Sequence, residues 1–240
     1  MKLIGKLFIE GYIEARTGLH IGGSKTALDI GGLDLSVIKD ATGVPFIPGS
    51  SLKGNLRAVL AREKGSTSVD QDPDPIRTIF GYTTKEEGHR ARLIVRDAPL
   101  DVEAFKRAKE HLFQLLDFPY TQVKWENSID RVKGRAQHPR QIERVPAGTR
   151  FEFQLVYSVF DDGKVKEHIR TIRKAMRMLE DDYIGGHGTR GYGRIAFREV
   201  HLLHKTIEDY EKDNQPHLLL EHFMQVGEEE LYKKLQPVAS

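Results

Sequence analysis

The sequence contains no cysteine, so neither disulfide bonds nor cysteine-ligated metal sites are available to it. It also has no apolar run near the ~20 residues that a membrane-spanning helix requires. Its N-terminal stretch, MKLIGKLFIEGYIEA, alternates in polarity and includes acids, which is unlike a signal peptide. These absences favour a globular protein of a reducing compartment, and we expect a cytoplasmic location with no membrane partner.

Net charge is also small, at +2 over 240 residues, but it is unevenly distributed. Residues 205–240 contain eight acids and four lysines, whereas residues 131–150 contain six basic residues and one acid, Glu143. A local excess of cations favours contact with a polyanion such as RNA. A solvated, charged hairpin would show the same composition, so both interpretations stay open from charge alone.

Hydrophobic periodicity predicts alternating strands and helices along most of the chain. We expect strands at 7–15, 92–100, 151–160 and 194–203, helices at 50–65, 101–117 and 164–183, and one or two helices at 217–235. Ser50 or Ser51 is expected to cap the first helix. Long strands interleaved with helices indicate an α+β fold, and we predict an RRM-like or ferredoxin-like sandwich.

The expected organisation is one RRM-like body over residues 1–204 with three long insertions. The insertions are a glycine-rich loop at 17–47, a polar and mobile loop at 65–92, and a protruding hairpin at 118–150. Residues 205–240 are expected to form an acidic C-terminal helical extension.

The segment from Gly185 to Arg194, called the glycine segment below, holds five glycines and two arginines in ten residues. Glycine lets the backbone approach other groups closely, and exposed amides bind oxygen anions. A GxGxxG pattern occurs at 186–191, but it lies between a helix and a strand, whereas a dinucleotide-binding loop leads from a strand into a helix. RNA is therefore favoured over a mononucleotide, and a tight helix-to-strand turn is the alternative.

Seven motifs occur in order along the chain: TGLHIGG (17–23), GGLDLSVIKD (31–40), PFIPGSSLKGNLR (45–57), RLIVRDA (92–98), TQVKWENSIDR (121–131), PRQIER (139–144) and GGHGTRGYGRIAF (185–197). Together they resemble the RAMP superfamily of CRISPR-associated proteins over roughly residues 5–200. The resemblance is closest to the Cas seven-like repeating backbone subunit of the type III-A effector, the Csm complex, the third of its numbered subunits. The ENSIDR, PRQIER and LDLSV pieces narrow it to this subunit type.

The resemblance implies a hand-shaped subunit with an RRM-like palm and a protruding thumb, residues 118–150. It implies binding to a crRNA guide, head-to-tail stacking with copies of itself, and contact with other Csm subunits. It also implies cleavage of complementary target RNA at regular intervals, with the RNA's own 2′-hydroxyl as the attacking group. Asp34, in the 17–47 catalytic loop, is then the catalytic residue and the ligand of a divalent metal, Mg²⁺ or Mn²⁺. Asp29 is a weaker alternative.

RNA contacts are predicted where the matching motifs carry cations, a helix N-terminus or a bare backbone. They are His20, Ser50, Ser51, Lys53, Arg57, Arg131, Arg140, Arg144, Gly186, Gly188, Arg190 and Gly191. Trp125 is expected to pack at the base of the thumb.

Two other functions remain open from the sequence. The first is a non-catalytic RNA-binding scaffold of the same type of complex, which would not need Asp34. The second is a guide-processing ribonuclease acting through His20, for which no second catalytic histidine is evident. A zinc enzyme is disfavoured because the chain has neither HExxH nor cysteine.

Overall fold

The structure, a computed structural model, describes residues 1–23, 35–83 and 88–238. Its helices and strands in chain order are β1 (Leu3–Ala15), β2 (Phe46–Ile47), α1 (Gly49–Glu63), α2 (Ile76–Phe80), β3 (Tyr82–Thr83), β4 (Gly88–His89), β5 (Leu93–Val95), β6 (Ala98–Pro99), α3 (Val102–Lys109), β7 (Gln122–Ile129), β8 (Ala136–Arg144), β9 (Arg150–Phe160), α4 (Val165–Glu180), β10 (Ile195–Thr206), α5 (Ile207–Glu211), β11 (His217–Leu220) and α6 (Glu228–Leu235).

The main sheet is antiparallel and has the strand order β11-β10-β1-β9-β5. Without β11, these are the fourth, first, third and second strands of a βαββαβ unit, in which α1 follows β1 and α4 follows β9. That order defines a ferredoxin-like sandwich. The predicted RRM-like α+β fold is therefore confirmed. Among the described residues, none of the helices combines the length and apolar composition needed to span a membrane.

Strand β1 alternates between a buried and an open face, as its sequence predicts. Leu7, Ile9 and Ile13 are fully buried, and their neighbours on the other face are partly exposed. Helices α1 and α4 bring residues such as Leu52 and Ile172 into the same core. The helices thus cover one face of the sheet, and the other face stays open.

Helix α1 begins one residue before the predicted position, and no serine caps it. Its N-cap is Pro48, and the amide of Gly49 donates to Asp97 Oδ1 at 2.6 Å. The expectation that Ser50 or Ser51 caps the helix is wrong, because a carboxylate from the segment after β5 satisfies the first amide instead.

Helix α3 ends at Lys109, although apolar spacing predicted a helix to residue 117. Phe113 is buried and stacks on Phe105 with ring centroids 4.8 Å apart. Leu112 and Leu115 instead remain 73% and 92% exposed. The apolar stripe therefore lacks a packing surface beyond the first two turns, and packing rather than spacing decides where a helix ends.

The acidic C-terminal extension is not helical throughout, because β11 adds a strand to the open edge of β10. The chain after β11 then crosses α4. Arg173, which is 1% exposed, donates to the carbonyl oxygen of Val226 at 2.8 Å, and Arg177 donates to that of Met224 at 2.7 Å. The extension therefore packs on the body, and its carbonyl oxygens accept hydrogen bonds from two guanidinium groups of α4.

One buried histidine should make the fold sensitive to acid. His168 is 1% exposed, its Nδ1 lies 2.7 Å from Tyr157 Oη, and burial, reinforced by nearby Arg92, lowers its pKa to about 4. The unfolded chain binds this proton near pH 6.5 and the folded chain does not. We expect the free energy of unfolding to fall by about 3 kcal/mol from His168 alone between pH 7 and pH 4.

Urea unfolding at pH 7 and at pH 4.5, compared with His168→Gln, measures this contribution. Glutamine keeps a hydrogen-bond acceptor for Tyr157 but does not titrate, so the variant should lose less stability on acidification than the wild type. Equal losses in both proteins would assign the acid sensitivity to other groups.

Candidate functional site

Three segments that the sequence singled out meet at one end of the sheet. The His20 loop (residues 17–23) follows the last residue of β1, the thumb leads into the first residue of β9, and the glycine segment leads into the first residue of β10. The register pairs Ala15 with Ile195 and Glu14 with Arg150. The ends of three adjacent strands therefore bring these distant segments together.

His20 connects all three segments. Its side chain is 4% exposed, its Nδ1 lies 2.8 Å from the carbonyl oxygen of Glu143 in the thumb, and its own carbonyl accepts from the amide of Gly186 at 2.8 Å. Its ring lies edge-on to His187 with centroids 5.8 Å apart. His20 therefore supports the loop from inside, and its contact with RNA stays a prediction.

Most glycines of the glycine segment are packed against protein. A Cβ at Gly185 would meet the carbonyl oxygen of His20, and one at Gly188 would meet the ring of Tyr183, both well inside 3.0 Å. At Gly186 a Cβ would lie 3.3 Å from the His20 ring, and at Gly191 it would meet nothing within 4 Å. Close approach of protein to protein thus accounts for the first three, and Gly191 is the predicted RNA contact with open space beside it.

Cations and rings surround the outer side of the glycine segment. Lys124 Nζ lies 4.6 Å from the ring centre of Tyr192, and the Arg144 guanidinium lies 5.4 Å from it. Burial and the neighbouring Glu126 carboxylate raise the pKa of Tyr192 to about 12. Arg190 Nη2 lies 2.5 Å from His187 Nδ1. Burial first, then this guanidinium, lowers the pKa of His187, which favours the neutral form of that ring.

Sequence reasoning missed Lys124, Tyr192 and His187. The period-two pattern of the thumb strand could have placed Lys124 on the opposite face from Trp125. No sequence pattern predicts that the ring of Tyr192 lies beside both Lys124 and Arg144, because these contacts join segments far apart in sequence.

The predicted thumb is a two-stranded hairpin formed by β7 and β8. Arg140 and Arg144 lie half-buried near its base, and Arg140 is close enough to His187 to contribute to lowering the pKa of that ring. Arg131 is exposed at the turn. Trp125 is 61% exposed, so the expectation that it packs at the base is wrong, because its strand turns that face to solvent.

Asp34 and the alternative Asp29 lie outside the described residues. The segments before and after the undescribed residues are joined by main-chain hydrogen bonds. The amide of Gly23 donates to the carbonyl oxygen of Ser36 at 3.0 Å, and the amide of Ile38 donates to that of Ile21 at 2.9 Å. The two ends of the loop that carries Asp34 are therefore held next to each other.

Leu35, the residue after Asp34, is fixed to the thumb. Its carbonyl accepts from the amide of Glu143 at 3.0 Å. The buried Glu143 carboxylate accepts from the amide of Val37 at 2.8 Å, from Lys39 Nζ at 2.5 Å and from Thr121 Oγ1 at 2.5 Å. Glu143, noticed in the sequence only as the one acid of a basic window, thus anchors the chain after Asp34 to the thumb base. Val37 and Lys39 lie more than a hundred residues from Glu143 and Thr121 lies 22 residues from it, so no local sequence pattern predicted these bonds.

The remaining predicted contacts lie at α1, beside β5. Ser50 is exposed, and Ser51 and Lys53 are half-buried. Burial first, and then neighbouring Arg57, lowers the pKa of Lys53. Arg57 itself donates to Asp72 at 2.6 Å and to the carbonyls of Gly81 at 2.7 Å and Val69 at 3.2 Å. These bonds occupy the Arg57 guanidinium within the protein, whereas Lys53 has no such set of acceptors in the described contacts.

A metal cage built by protein alone is not found in the described part of the chain, where no three His, Asp or Glu side chains are grouped to hold an ion. Mg²⁺ is commonly bound through one or two carboxylates together with substrate phosphates.

Comparison with known proteins gives consistent relatives. The RAMP superfamily profile matches residues 12–196. The CRISPR system Cms endoribonuclease Csm3 of Methanocaldococcus jannaschii is 43% identical over 223 residues, covering 88% of this chain and 86% of the relative. The protein of the same name from Streptococcus thermophilus is 41% identical over 201 residues, covering 81% and 88%.

Solved structures agree with the sequence relatives. The crystal structure of a Csm3–Csm4 subcomplex in the type III-A CRISPR-Cas interference complex matches with a TM-score of 0.62 at 32% identity, covering 97% of this chain and 98% of that one. Methanopyrus kandleri Csm3 matches in fold with a TM-score of 0.59 at 22% identity, covering 88% and 80%. The chain therefore belongs to the RAMP superfamily and, within it, to the Csm3 family, whose curated members are named endoribonucleases.

Proposed function

We propose that this chain is a crRNA-binding, repeating backbone subunit of a type III-A CRISPR interference complex that cleaves complementary target RNA at regular intervals. One observation carries the proposal: the basic thumb base, the His20 loop, the glycine segment and the chain after Asp34 converge at one end of the sheet. A guide-directed ribonuclease needs such a phosphate-binding surface beside a carboxylate.

The guide is proposed to lie across this convergence. Arg140, Arg144 and Arg190 supply positive charge, and the open backbone at Gly191 allows close approach of a phosphate. Gly186 and Gly188 act by shaping the segment against His20 and Tyr183. The remaining proposed contacts are His20, Ser50, Ser51, Lys53, Arg57 and Arg131. Contacts of this kind fix position along a strand and do not read sequence.

Asp34 is the proposed catalytic residue, with a divalent cation, Mg²⁺ or Mn²⁺, as cofactor. Support comes from its neighbour Leu35, which is hydrogen-bonded to the thumb beside the proposed guide path. Asp34 would hold the ion, which would stabilise charge developing on the scissile phosphate. The attacking group is proposed to be the adjacent 2′-hydroxyl of the target RNA.

The proposed partners are the guide, its complementary target, further copies of this chain stacked head to tail, and other Csm subunits. The Csm3 relative whose structure was solved with Csm4 supports the last of these. The proposed compartment is the cytoplasm.

Assembly of the chain with its partner subunits and a guide tests this function. Complementary target RNA added with Mg²⁺ should yield a ladder of evenly spaced products, and a non-complementary RNA of equal length should stay intact. Intact target that is nevertheless bound by the complex would favour the scaffold function, and cleavage of the guide precursor alone would favour a processing enzyme.

Lys53→Ala should weaken binding of unrelated single-stranded RNAs to the same extent, because a phosphate contact is blind to sequence. The slope of log affinity against log salt should fall by about 0.7 to 1. Lys109→Ala, which removes an exposed lysine from α3, is the matched control and should leave the slope unchanged. A sequence-selective loss would contradict the phosphate contact.

Arg57→Ala separates structural from RNA-binding roles. Because the Arg57 guanidinium is bonded to Asp72 and two carbonyls, its loss should lower the urea midpoint. If Arg57 also binds RNA, the folded variant will show the reduced salt slope expected for Lys53→Ala.

A further inference from the structure

Three side chains form a stack in the insertion between α1 and β5. The Arg77 guanidinium lies 3.9 Å from the ring centre of Tyr82. The His89 ring stacks on the same tyrosine, with ring centroids 5.0 Å apart and 18° between the ring planes. Arg77 belongs to α2, Tyr82 to β3 and His89 to β4. The stack therefore joins α2 to both strands of the β3–β4 pair.

The last ring of this stack stays in solvent. Tyr82 is only 8% exposed, whereas His89 and the following residue, Arg90, are both exposed. One face of the His89 ring rests on Tyr82, so its exposed surface comprises the other face and the ring edge. Proteins that bind single-stranded RNA stack bases on open ring faces of this kind, with cations nearby for the phosphates.

The β3–β4 pair holds His89 in position. Tyr82 and His89 are directly opposite each other in the antiparallel register. Gly81 precedes Tyr82 with φ of +77°, and a Cβ there would approach the amide nitrogen of Ala91 to 2.8 Å and the carbonyl oxygen of His89 to 2.9 Å. Glycine therefore allows the chain after β4 to lie close to the start of β3. The exposed ring is thus held by main-chain packing as well as by the stack.

Arg77 supplies the cation of the stack. Its Nε is buried and has no hydrogen-bond partner among the described residues. A buried donor without an acceptor costs free energy, and attraction between the guanidinium and the Tyr82 ring offsets part of that cost. Arg77 therefore acts on the ring it covers, which fixes Tyr82 as the support beneath His89.

The stack adjoins the proposed guide contacts of α1. Arg57 donates to the carbonyl oxygen of Gly81, the residue before Tyr82, at 2.7 Å. Lys53 lies one turn earlier on the same face of α1. An RNA strand whose phosphate contacts Lys53 would therefore pass beside the β3–β4 pair.

We propose that the β3–β4 pair is a further RNA-binding site, where an unpaired base of the guide stacks on the open face of the His89 ring. Arg90 then lies beside the phosphates that flank this base. Every base has a π-face, so the contact adds affinity without reading sequence, as a subunit that holds guides of any sequence requires. This inference deepens the proposed function and rests on it, because it assumes that guide RNA reaches α1.

Substitutions at His89 separate stacking from charge. His89→Ala removes the ring, His89→Tyr keeps a ring without the imidazole, and His89→Lys supplies a cation without a ring. His222→Ala, at an exposed histidine after β11, is the matched control. The affinity of each protein is measured for a short oligouridylate and for an abasic ribose-phosphate oligomer of the same length. Urea midpoints are measured in parallel.

Wild type should bind oligouridylate more tightly than the abasic oligomer. His89→Ala should lose about fivefold or more in affinity for oligouridylate and keep its affinity for the abasic oligomer, which has no base to stack. His89→Tyr should recover most of the loss, and His89→Lys should not. Recovery with lysine but not with tyrosine, or an equal loss on both oligomers, would overturn base stacking at His89.

The same measurements separate this inference from the proposed function. If wild type binds neither oligomer, the guide-binding function fails first. If wild type binds both, and His89→Ala binds oligouridylate as tightly as His222→Ala does, guide binding stands and the stacking site is wrong. A loss of affinity that appears only in variants whose urea midpoint also falls would give His89 a structural role and would likewise overturn the proposal.

Discussion

Asp34→Ala should leave guide and target RNA bound and reduce target cleavage by about 100-fold or more. Removing a carboxylate that holds a metal or positions a proton at the scissile phosphate forfeits several kcal/mol of transition-state stabilisation. The residue is expected to contribute little to folding, because the next residue, Leu35, is held by main-chain bonds to the thumb that the substitution does not touch.

The measurement is a time course of product formation by the assembled complex, with target affinity determined in parallel. Asp29→Ala is the matched control, since it removes the same charge from the same loop. Loss of cleavage in Asp34→Ala with normal cleavage in Asp29→Ala places the reaction at Asp34. Equal cleavage in both variants would move catalysis to His20 or to another subunit. Faster cleavage in the presence of Mn²⁺ or Mg²⁺ than in the presence of a chelator would show that the reaction depends on a divalent metal.

The sequence predicted the frame of the molecule where the hydrophobic pattern was strong. The alternation of β1 and the apolar stripe of α4 each place a buried face on the core, so their identities and faces follow from local spacing alone. The thumb hairpin followed from motif resemblance and from its lack of helix signals. Both kinds of prediction depend on residues close together in the chain.

The sequence did not predict contacts between side chains and segments that lie far apart along the chain. The carboxylate of Glu143 joins Val37, Lys39 and Thr121, and the carboxylate of Asp97 accepts from the first amide of α1, where a serine cap was expected. These bonds join segments that only the folded sheet brings together. The same holds for β11. Its four residues were predicted to be helical, but in the structure they form a strand because they pair with the edge of β10.

The glycine segment shows how a motif can be identified correctly and explained incompletely. The lack of side chains at its glycines suggested that an RNA backbone lies against it. In the structure, Gly185, Gly188 and Gly193 are bare because other parts of the protein lie against them. The site is thus shaped by glycine in two ways, through close packing beneath it and through an open backbone at Gly191.

Gly185→Ala should therefore be strongly destabilising. Its φ of +81° already disfavours a side chain, and its new Cβ would press on the carbonyl oxygen of His20, which accepts the Gly186 amide. Left-handed backbone costs about 1–2 kcal/mol and overpacking a further 1–3 kcal/mol. We expect a loss of about 3 kcal/mol in the free energy of unfolding, measured in urea, together with weaker guide binding as His20 and the segment separate.

Gly191→Ala is the matched control because it isolates the backbone cost. Its φ of +85° is as unfavourable as that of Gly185, but a Cβ there meets nothing within 4 Å. It should therefore lose only about 1–2 kcal/mol of stability. If Gly191 approaches a guide phosphate, the folded variant will still bind RNA more weakly, because the methyl group fills the space that the phosphate needs. Equal losses of stability at Gly185 and Gly191 would show that backbone conformation, and not contact with His20, sets the requirement for glycine.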